Sequence, residues 1–381
     1  MECKFITNGI SISYDQIVKP CCAWNYSKDW ADDNTIPIVN FNTWHNKISL
    51  AANKNLLRQN IWPSNCSNCK NIEDQSREDS VRLGGNRAYS HYASDDITLE
   101  IRPGSVCNFA CQTCWPEASS RVAQYHHQAK LIDIKNINSD VIDNFDFLLP
   151  IANRIKDVIL LGGEPFYDKS CKKFLNWALQ HMSANITMFT NGSHIDLEFL
   201  QNYKKKITLV FSLDAVGKPA EYIRYGTDWS TVINNYQQAR SISNIEVRVN
   251  ITSSVFNYYH ISDLINELST DWPAVVTFGV PRLPHFLEST VPTELRPQLI
   301  ERLESAIRTI WQSNIEHNQQ HNASNAINSI INNLKMSNWN LQNYQTLCEF
   351  IKKMDQVKNI SVHDHCIFLS KLVDFKKIAQ I

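Results

Sequence analysis

The sequence predicts an α/β protein: alternating strands and helices that build a parallel sheet, a small cysteine-rich hairpin module in front of them, and a helical extension behind. Three observations predict it. Six strand-like runs with helix-length spacers recur between Asp95 and Val280, a pattern that calls for parallel strands joined by right-handed crossovers. Eight of the eleven cysteines fall before residue 115, a clustering that marks metal or redox chemistry. Beyond Pro281 the strand-like runs stop and apolar residues take the spacing of one helix face.

The chain has 381 residues, 37 Lys+Arg against 38 Asp+Glu, and 43% hydrophobic residues, which fits two or three globular domains. These values exclude a disordered tail, a collagen-like fibre and a polybasic nucleic-acid binder. No apolar run approaches the roughly 20 residues of a membrane helix, and the opening MECKFITNGI lacks the long apolar core of a secretory signal. The expectation is a cytoplasmic protein with neither a nucleic-acid nor a membrane partner. In that reducing compartment the cysteines are not read as disulfides.

Residues 1–92 form the first predicted module. The stretch ISISYDQIVKPCC reads as a hairpin, with alternation on Ile10, Ile12 and Tyr14 and a turn near Asp15. Around it stand Cys3, the pair Cys21 and Cys22, and the knuckle Cys66-Ser-Asn-Cys69. Cys3, one of Cys21 or Cys22, Cys66 and Cys69 would saturate either zinc or an iron-sulfur cluster. Scattered buried thiols are the competing reading.

Residues 93–290 form the second. DDITLEIRPG (Asp95 to Gly104) has the period of a strand, and VCNFACQTCW follows it, placing Cys107, Cys111 and Cys114 within eight residues of one loop at the strand's C-terminal end. In parallel α/β sheets ligands gather at that end. Three cysteines with no His or fourth Cys beside them leave structural zinc one ligand short. An iron-sulfur cube held by three cysteines instead keeps one iron open to a small molecule. The next strand, Val158 to Leu161, runs straight into Gly162, Gly163, Glu164 and Pro165. The glycines admit a ligand close to the backbone, and Glu164 suits a ligand ammonium group. Further strands are expected at Ile186–Gly192, Ile207–Ala215, Ile245–Ser254 and Ala274–Val280.

Residues 291–381 are expected to be helical. In TELRPQLIERLESAIRTIW, Leu295, Leu299, Ile300, Leu303, Ile307 and Ile310 share one face. The Asn- and Gln-rich stretch that follows reads as a loop leading to a second helix, with His317 and His321 four residues apart. Cys171, Cys348 and Cys366 read foremost as buried small hydrophobes. No P-loop, Ser-His-Asp order or GxGxxG motif stands out.

The loop Cys107-Asn-Phe-Ala-Cys111-Gln-Thr-Cys114, with GGEP at Gly162–Pro165, resembles the radical SAM enzymes, in which C-x3-C-x2-C binds a 4Fe-4S cluster. The resemblance implies a partial (β/α)6 barrel open on one side. It also implies that the open iron chelates the amino and carboxylate groups of S-adenosylmethionine (SAM), and that GGEP holds the methionine amino group. Thr113 stands where many relatives carry an aromatic residue near adenine, leaving Trp115 or Phe109 for that packing. By the same resemblance Thr190, Asn191 and Gly192 are the turn after the third strand, and Ser212 and Asp214 reach the SAM ribose and carboxylate. Arg224 pairs with the carboxylate, and Asn250 lies near ribose or adenine. Cys366 is the candidate thiol for returning a hydrogen atom to a substrate radical.

The N-terminal cysteines resemble the auxiliary-cluster module called twitch, or half of a SPASM domain. The matching positions are Cys3, Gly9, Val18-Lys-Pro20-Cys21, Asn42-Thr-Trp44 and Cys66-x2-Cys69. Of the adjacent pair the pattern takes Cys21. The module usually follows the barrel and here precedes it, the order of a subgroup with an N-terminal twitch. Together these likenesses imply a second 4Fe-4S cluster and a flavodoxin- or ferredoxin-type electron donor. The expected chemistry is hydrogen abstraction from a peptide or protein; a small metabolite such as a sugar alcohol is the alternative substrate, and a non-catalytic zinc protein the remote alternative.

Overall fold

The structure, a computed structural model, describes residues 1–13, 16–25, 36–37, 48–74, 80–93, 95–134, 141–269, 275–281 and 283–379. Its strands are β1 (Gly9–Ile12), β2 (Ile17–Lys19), β3 (Ile36–Pro37), β4 (Ile97–Ile101), β5 (Ala110–Cys111), β6 (Ile155–Leu160), β7 (Asn185–Thr190), β8 (Ile207–Ser212), β9 (Arg224–Tyr225), β10 (Ile245–Thr252) and β11 (Val275–Gly279). All six strands expected between residues 95 and 280 are present. The architecture is a mostly parallel α/β sheet with helices. Two compact units divide the chain: Met1–Ser105 with Asn138–Met188 and Asn202–Ile207, and Val106–Ile137 with Phe189–Gln201 and Thr208–Ile381.

In the first unit the strand order is β7-β6-β4-β1-β2-β3. β4, β6 and β7 are parallel, with Leu99 beside Val158 and Val158 beside Ile186. Every residue of β4 is buried, as a parallel strand covered on both faces requires. The predicted hairpin forms as the antiparallel pair β1 and β2, in which Ser11 faces Lys19. A feature the sequence did not announce is that β1 also lies parallel to β4, Ser11 beside Glu100, so the hairpin extends the sheet. The expected alternation at Tyr14, the turn at Asp15 and the Asn42-Thr-Trp44 segment lie outside the described residues. After β6 the helix Lys169–His181 starts at Asp168, whose carboxylate accepts from the Ser170 N–H at 2.8 Å. It buries Cys171, Phe174, Leu175 and Ala178, one stripe at helical spacing.

In the second unit the order is β11-β10-β8, with β10 and β11 parallel and Asn250 beside Thr277. A separate two-stranded ladder pairs β5 with β9 antiparallel, setting Cys111 opposite Arg224. The C-terminal part is helical, as expected: Arg296–Gln312 buries Leu299, Leu303, Ala306 and Ile310. The Asn-rich stretch is corrected here: it is a helix throughout, His317–Met336, not a loop. Ile327, Ile330, Ile331 and Leu334 supply a buried stripe that outweighs the weak helix propensity of its asparagines. The helix Leu341–Lys358 starts on an Asn340 cap and ends at Asn359 in the left-handed region, φ 51°. Val362–His365 and Ile367–Ala379 complete the unit. Among the described residues no helix is long and apolar enough to cross a membrane.

Candidate metal centres

The first cysteine set lies in the second unit. Cys107, Cys111 and Cys114 are all reduced, Cys111 buried and the other two half-buried. The loop is braced from several sides. The Phe109 N–H points at Cys107 Sγ, 3.4 Å away, and Ser119, the cap of helix Ser120–Gln128, donates its hydroxyl to Phe109 O at 3.1 Å. Arg121 donates to Asn108 O. Asn191 Nδ2 reaches both Asn108 Oδ1, at 2.9 Å, and Cys107 Sγ, at 3.8 Å. The turn carrying Asn191 is itself pinned: Thr190 Oγ1 accepts from the Gly192 N–H at 3.0 Å, and Asn191 Oδ1 from the Ser193 N–H at 2.9 Å.

Burial pushes the Cys114 thiol upward, and the neighbouring Cys111 and Cys107 charges add to it. Burial raises Cys111 too, with Arg224 opposing. Arg224 Nη1 donates to Asp214 Oδ2 at 2.8 Å. Burial works against the guanidinium charge, but Cys111, Asp214 and Cys107 carry its pKa upward. Its Nε–H is buried with no acceptor among the described residues. Asp214 Oδ1 accepts from the Thr252 N–H at 2.7 Å. Asn250 accepts from Thr277 Oγ1 at 3.1 Å and bonds through its carbonyl to the Leu213 N–H. The structure therefore brings Asn191, Asp214 and Arg224 to the three thiols. Ser212 ends β8, half-buried.

Two residues of this site escaped the sequence reading. Gln112 and Lys358 are both buried, and Lys358 lies 246 residues beyond Gln112. Burial draws the Lys358 pKa down to about 7, with Cys111 and Asp355 opposing. Phe109 is buried under Gly226, and Trp115 is half-buried.

The GGEP segment lies in the first unit, directly after β6. Gly162 has φ +142°, and a Cβ there would meet Gly104 O at 2.8 Å. The Gly163 N–H donates to the same carbonyl at 3.2 Å. Glu164 is 1% exposed, and its carbonyl accepts the Tyr167 and Asp168 N–H groups. Pro165 follows, and the chain continues into buried Phe166.

The second cysteine set is also in the first unit. Cys3, Cys21, Cys66 and Cys69 line one cavity whose other walls include Phe5, Ile6, Trp24, Leu57, Trp62 and Arg82. Burial raises all four thiols, Cys66 to about 12. Trp24 Nε1–H is buried with no acceptor among the described residues. Arg82, clamped to Glu73, holds a cation beside the cavity. Cys22 is exposed and is not among the residues lining that cavity; the charges of Glu100 and Arg102 act on its thiol instead. The cavity lining thus includes Cys21, the member of the pair that the sequence pattern took, and not Cys22.

Among the described residues no three His, Cys, Asp or Glu stand close enough to hold a single metal ion. A zinc ion draws four thiolates to about 2.3 Å, whereas a cubane offers each thiolate a separate iron and spreads them wider. The donor chemistry, four thiols around one cavity in one unit and three on a braced loop in the other, fits cubanes. Cys366 is fully buried where helix Val362–His365 meets Ile367–Ala379, its thiol raised by burial and then by Asp355. His321 meets Asn325, and His317 packs on Trp311.

No family model matches the chain, and no curated protein matches it. Several solved structures are similar. Native anSMEcpe with bound AdoMet overlays at a TM-score of 0.41 and 17% identity, covering 57% of this chain and 64% of that one. Streptococcus suis SuiB bound to S-adenosylmethionine gives a TM-score of 0.36 at 17% identity, over 74% of this chain and 62% of that one. TYW1 with a lysine-pyruvate adduct bound gives 0.32 at 14% identity, over 55% and 73%. The chain spans less than two thirds of the length of anSMEcpe, and all three overlays are partial.

Proposed function

We propose that the chain is a radical SAM enzyme acting on a peptide or protein. The observation that carries this reading is the trio Cys107, Cys111 and Cys114 on one braced loop beside the ion pair of Arg224 with buried Asp214. A cluster held by these thiols, with SAM bound, supplies reductive cleavage to a 5'-deoxyadenosyl radical that removes a hydrogen atom from substrate. The chain's own part is to bind, orient and keep water out. Cys107, Cys111 and Cys114 would hold three irons. Gly162, Gly163, Glu164 and Pro165 would take the methionine amino group, as the GGEP resemblance implies. Ser212, Asp214, Arg224 and Asn250, with the turn Thr190–Asn191, would frame the ribose and carboxylate. Arg224, kept cationic by Asp214, offers an Nε–H not already committed.

Residues 1–92 would act as an auxiliary module, with Cys3, Cys21, Cys66 and Cys69 as ligands of a second cubane. Four protein thiolates leave no iron open, which favours passing an electron over binding substrate. The Trp24 N–H would then meet an acceptor in the cluster's sulfur atoms. A flavodoxin- or ferredoxin-type donor would reduce the first cluster.

Two measurements test this. Anaerobic incubation with SAM and reductant is expected to release 5'-deoxyadenosine, and Cys107→Ala to abolish it. Iron per chain is expected at about 8, falling to about 4 in the triple alanine variant of Cys107, Cys111 and Cys114. Zinc in place of iron, or no deoxyadenosine from the iron-loaded chain, overturns the reading.

A further inference from the structure

Lys358 ends the helix Leu341–Lys358 and is 3% exposed. Its Nζ donates to Ala110 O at 2.8 Å and to Gln112 Oε1 at 3.1 Å, the residues on either side of Cys111. The same nitrogen faces the rings of Tyr225 at 5.3 Å and Tyr125 at 6.0 Å. Two oxygens and two π faces are all acceptors of positive charge, so the ammonium form is the one this geometry suits.

The anchorage runs both ways. The Tyr225 hydroxyl donates to the Lys358 carbonyl at 3.0 Å, and Tyr225 stands opposite Ala110 in the β5–β9 ladder. Gln112 is held by its own N–H to Ile223 O at 2.8 Å and by Nε2 to Tyr222 O at 3.3 Å. One turn before Lys358, Asp355 is committed to the Tyr222 hydroxyl at 2.8 Å and to the Val362 N–H at 2.8 Å. Burying an ammonium costs several kcal/mol of hydration, which the Asp355 carboxylate offsets only in part because it is committed elsewhere, and a Leu or Met would fill such a space without that cost. Negative charge gathering at Cys107, Cys111 and Cys114 would offset it.

We infer that Lys358 is a positioning residue for the cysteine loop, fixing the backbone around Cys111 for ligation and supplying a buried positive charge that favours the reduced state of a cluster bound there. This rests on the cluster reading above. The C-terminal helical region is thereby part of the metal centre and not only packing.

The test is an anaerobic redox titration followed by electron paramagnetic resonance, with iron and sulfide assays, on the wild type and on Lys358→Gln, Lys358→Met and Lys358→Arg. Lys358→Gln keeps a donor and removes the charge. It is expected to bind the wild-type complement of iron, yet at the wild-type midpoint its ratio of reduced to oxidised cluster falls about tenfold, equivalent to about 59 mV for one electron. Lys358→Met is expected to lose iron from this site as well, and Lys358→Arg to recover the potential. Wild-type iron and potential in folded Lys358→Gln overturn the inference. Thermal melting of the metal-free chains checks folding. Where Lys358→Gln does not fold, Lys358→Met decides: loss of this site's iron from a folded chain supports the inference, and wild-type iron and potential overturn it. A wild type that takes up no iron and sulfide removes the cluster reading itself, whereas a loaded wild type with unshifted variants removes only the role of Lys358.

Discussion

Arg224 stands opposite Cys111 across the β5–β9 ladder, and its Nη1 lies 2.8 Å from Asp214 Oδ2. Asp214 is buried, at 1% exposure, and Arg224 is half-buried, at 13%. An Asp214→Asn substitution keeps an acceptor for the Thr252 N–H but leaves the guanidinium without its charge partner. Breaking a buried pair from one side costs about 3–5 kcal/mol. Urea denaturation of the metal-free chain is expected to show a loss of that order, and an unchanged midpoint would count against the pair as a structural element.

The GGEP turn depends on a backbone conformation as well as on its letters. At Gly162, φ +142° is closed to side chains, and a Cβ would press on Gly104 O at 2.8 Å. Gly217, at φ +57°, has no atom within 4 Å of the same position. Gly162→Ala therefore combines strain with a clash against main chain, and is expected to cost about 3 kcal/mol. Gly217→Ala carries only left-handed strain, about 1 kcal/mol. Thermal melting of the two variants checks the order; Gly217→Ala melting lower than Gly162→Ala would refute it.

Much of the fold was legible in its strands, which are buried along nearly their whole length in β4 and β8 and alternate in β6, β7 and β10. Ile207–Phe211 is continuously β-branched or apolar, whereas Ile97–Ile101 announces itself by alternation, Ile97, Leu99 and Ile101 with Thr98 and Glu100 between them. The parallel docking of β1 on β4 was not legible, since hairpin periodicity says nothing about which strand lies on its free side. The Asn-rich helix was hidden by local propensity: only Ile327, Ile330, Ile331 and Leu334 marked it. At the site, cysteines announce themselves by spacing. Lys358 does not, because its partner oxygens on Ala110 and Gln112 are brought to it only by tertiary folding.

The adjacent pair Cys21 and Cys22 gives a sharp contrast. Cys21 lines the cavity shared with Cys3, Cys66 and Cys69, while Cys22 is exposed outside it. In a chain already lacking Cys107, Cys111 and Cys114, Cys21→Ala is expected to abolish the remaining iron, about 4 per chain, and Cys22→Ala to leave it in place. Iron assays on the two variants after identical reconstitution decide the matter. Loss on removing Cys22 and retention on removing Cys21 would reverse the assignment.

His126 offers a prediction in pH. It is 7% exposed on helix Ser120–Gln128 and packs edge-on against Phe350, ring centroids 5.7 Å apart. Burial, with the Lys358 charge adding to it, lowers its pKa from 6.5 to about 4. Between those values the unfolded chain takes up a proton that the folded chain refuses, so stability is full above the unfolded pKa and falls as pH drops through the window. A displacement of that size is worth about 3 kcal/mol. His126→Phe keeps the ring contact and removes the proton site. From about pH 7 to about pH 4.5 the wild type is expected to lose about 2–3 kcal/mol more than the variant, read from urea midpoints at each pH. Carboxylates common to both chains cancel in that difference, so parallel acid limbs would mean that the imidazole is not held neutral in the folded chain.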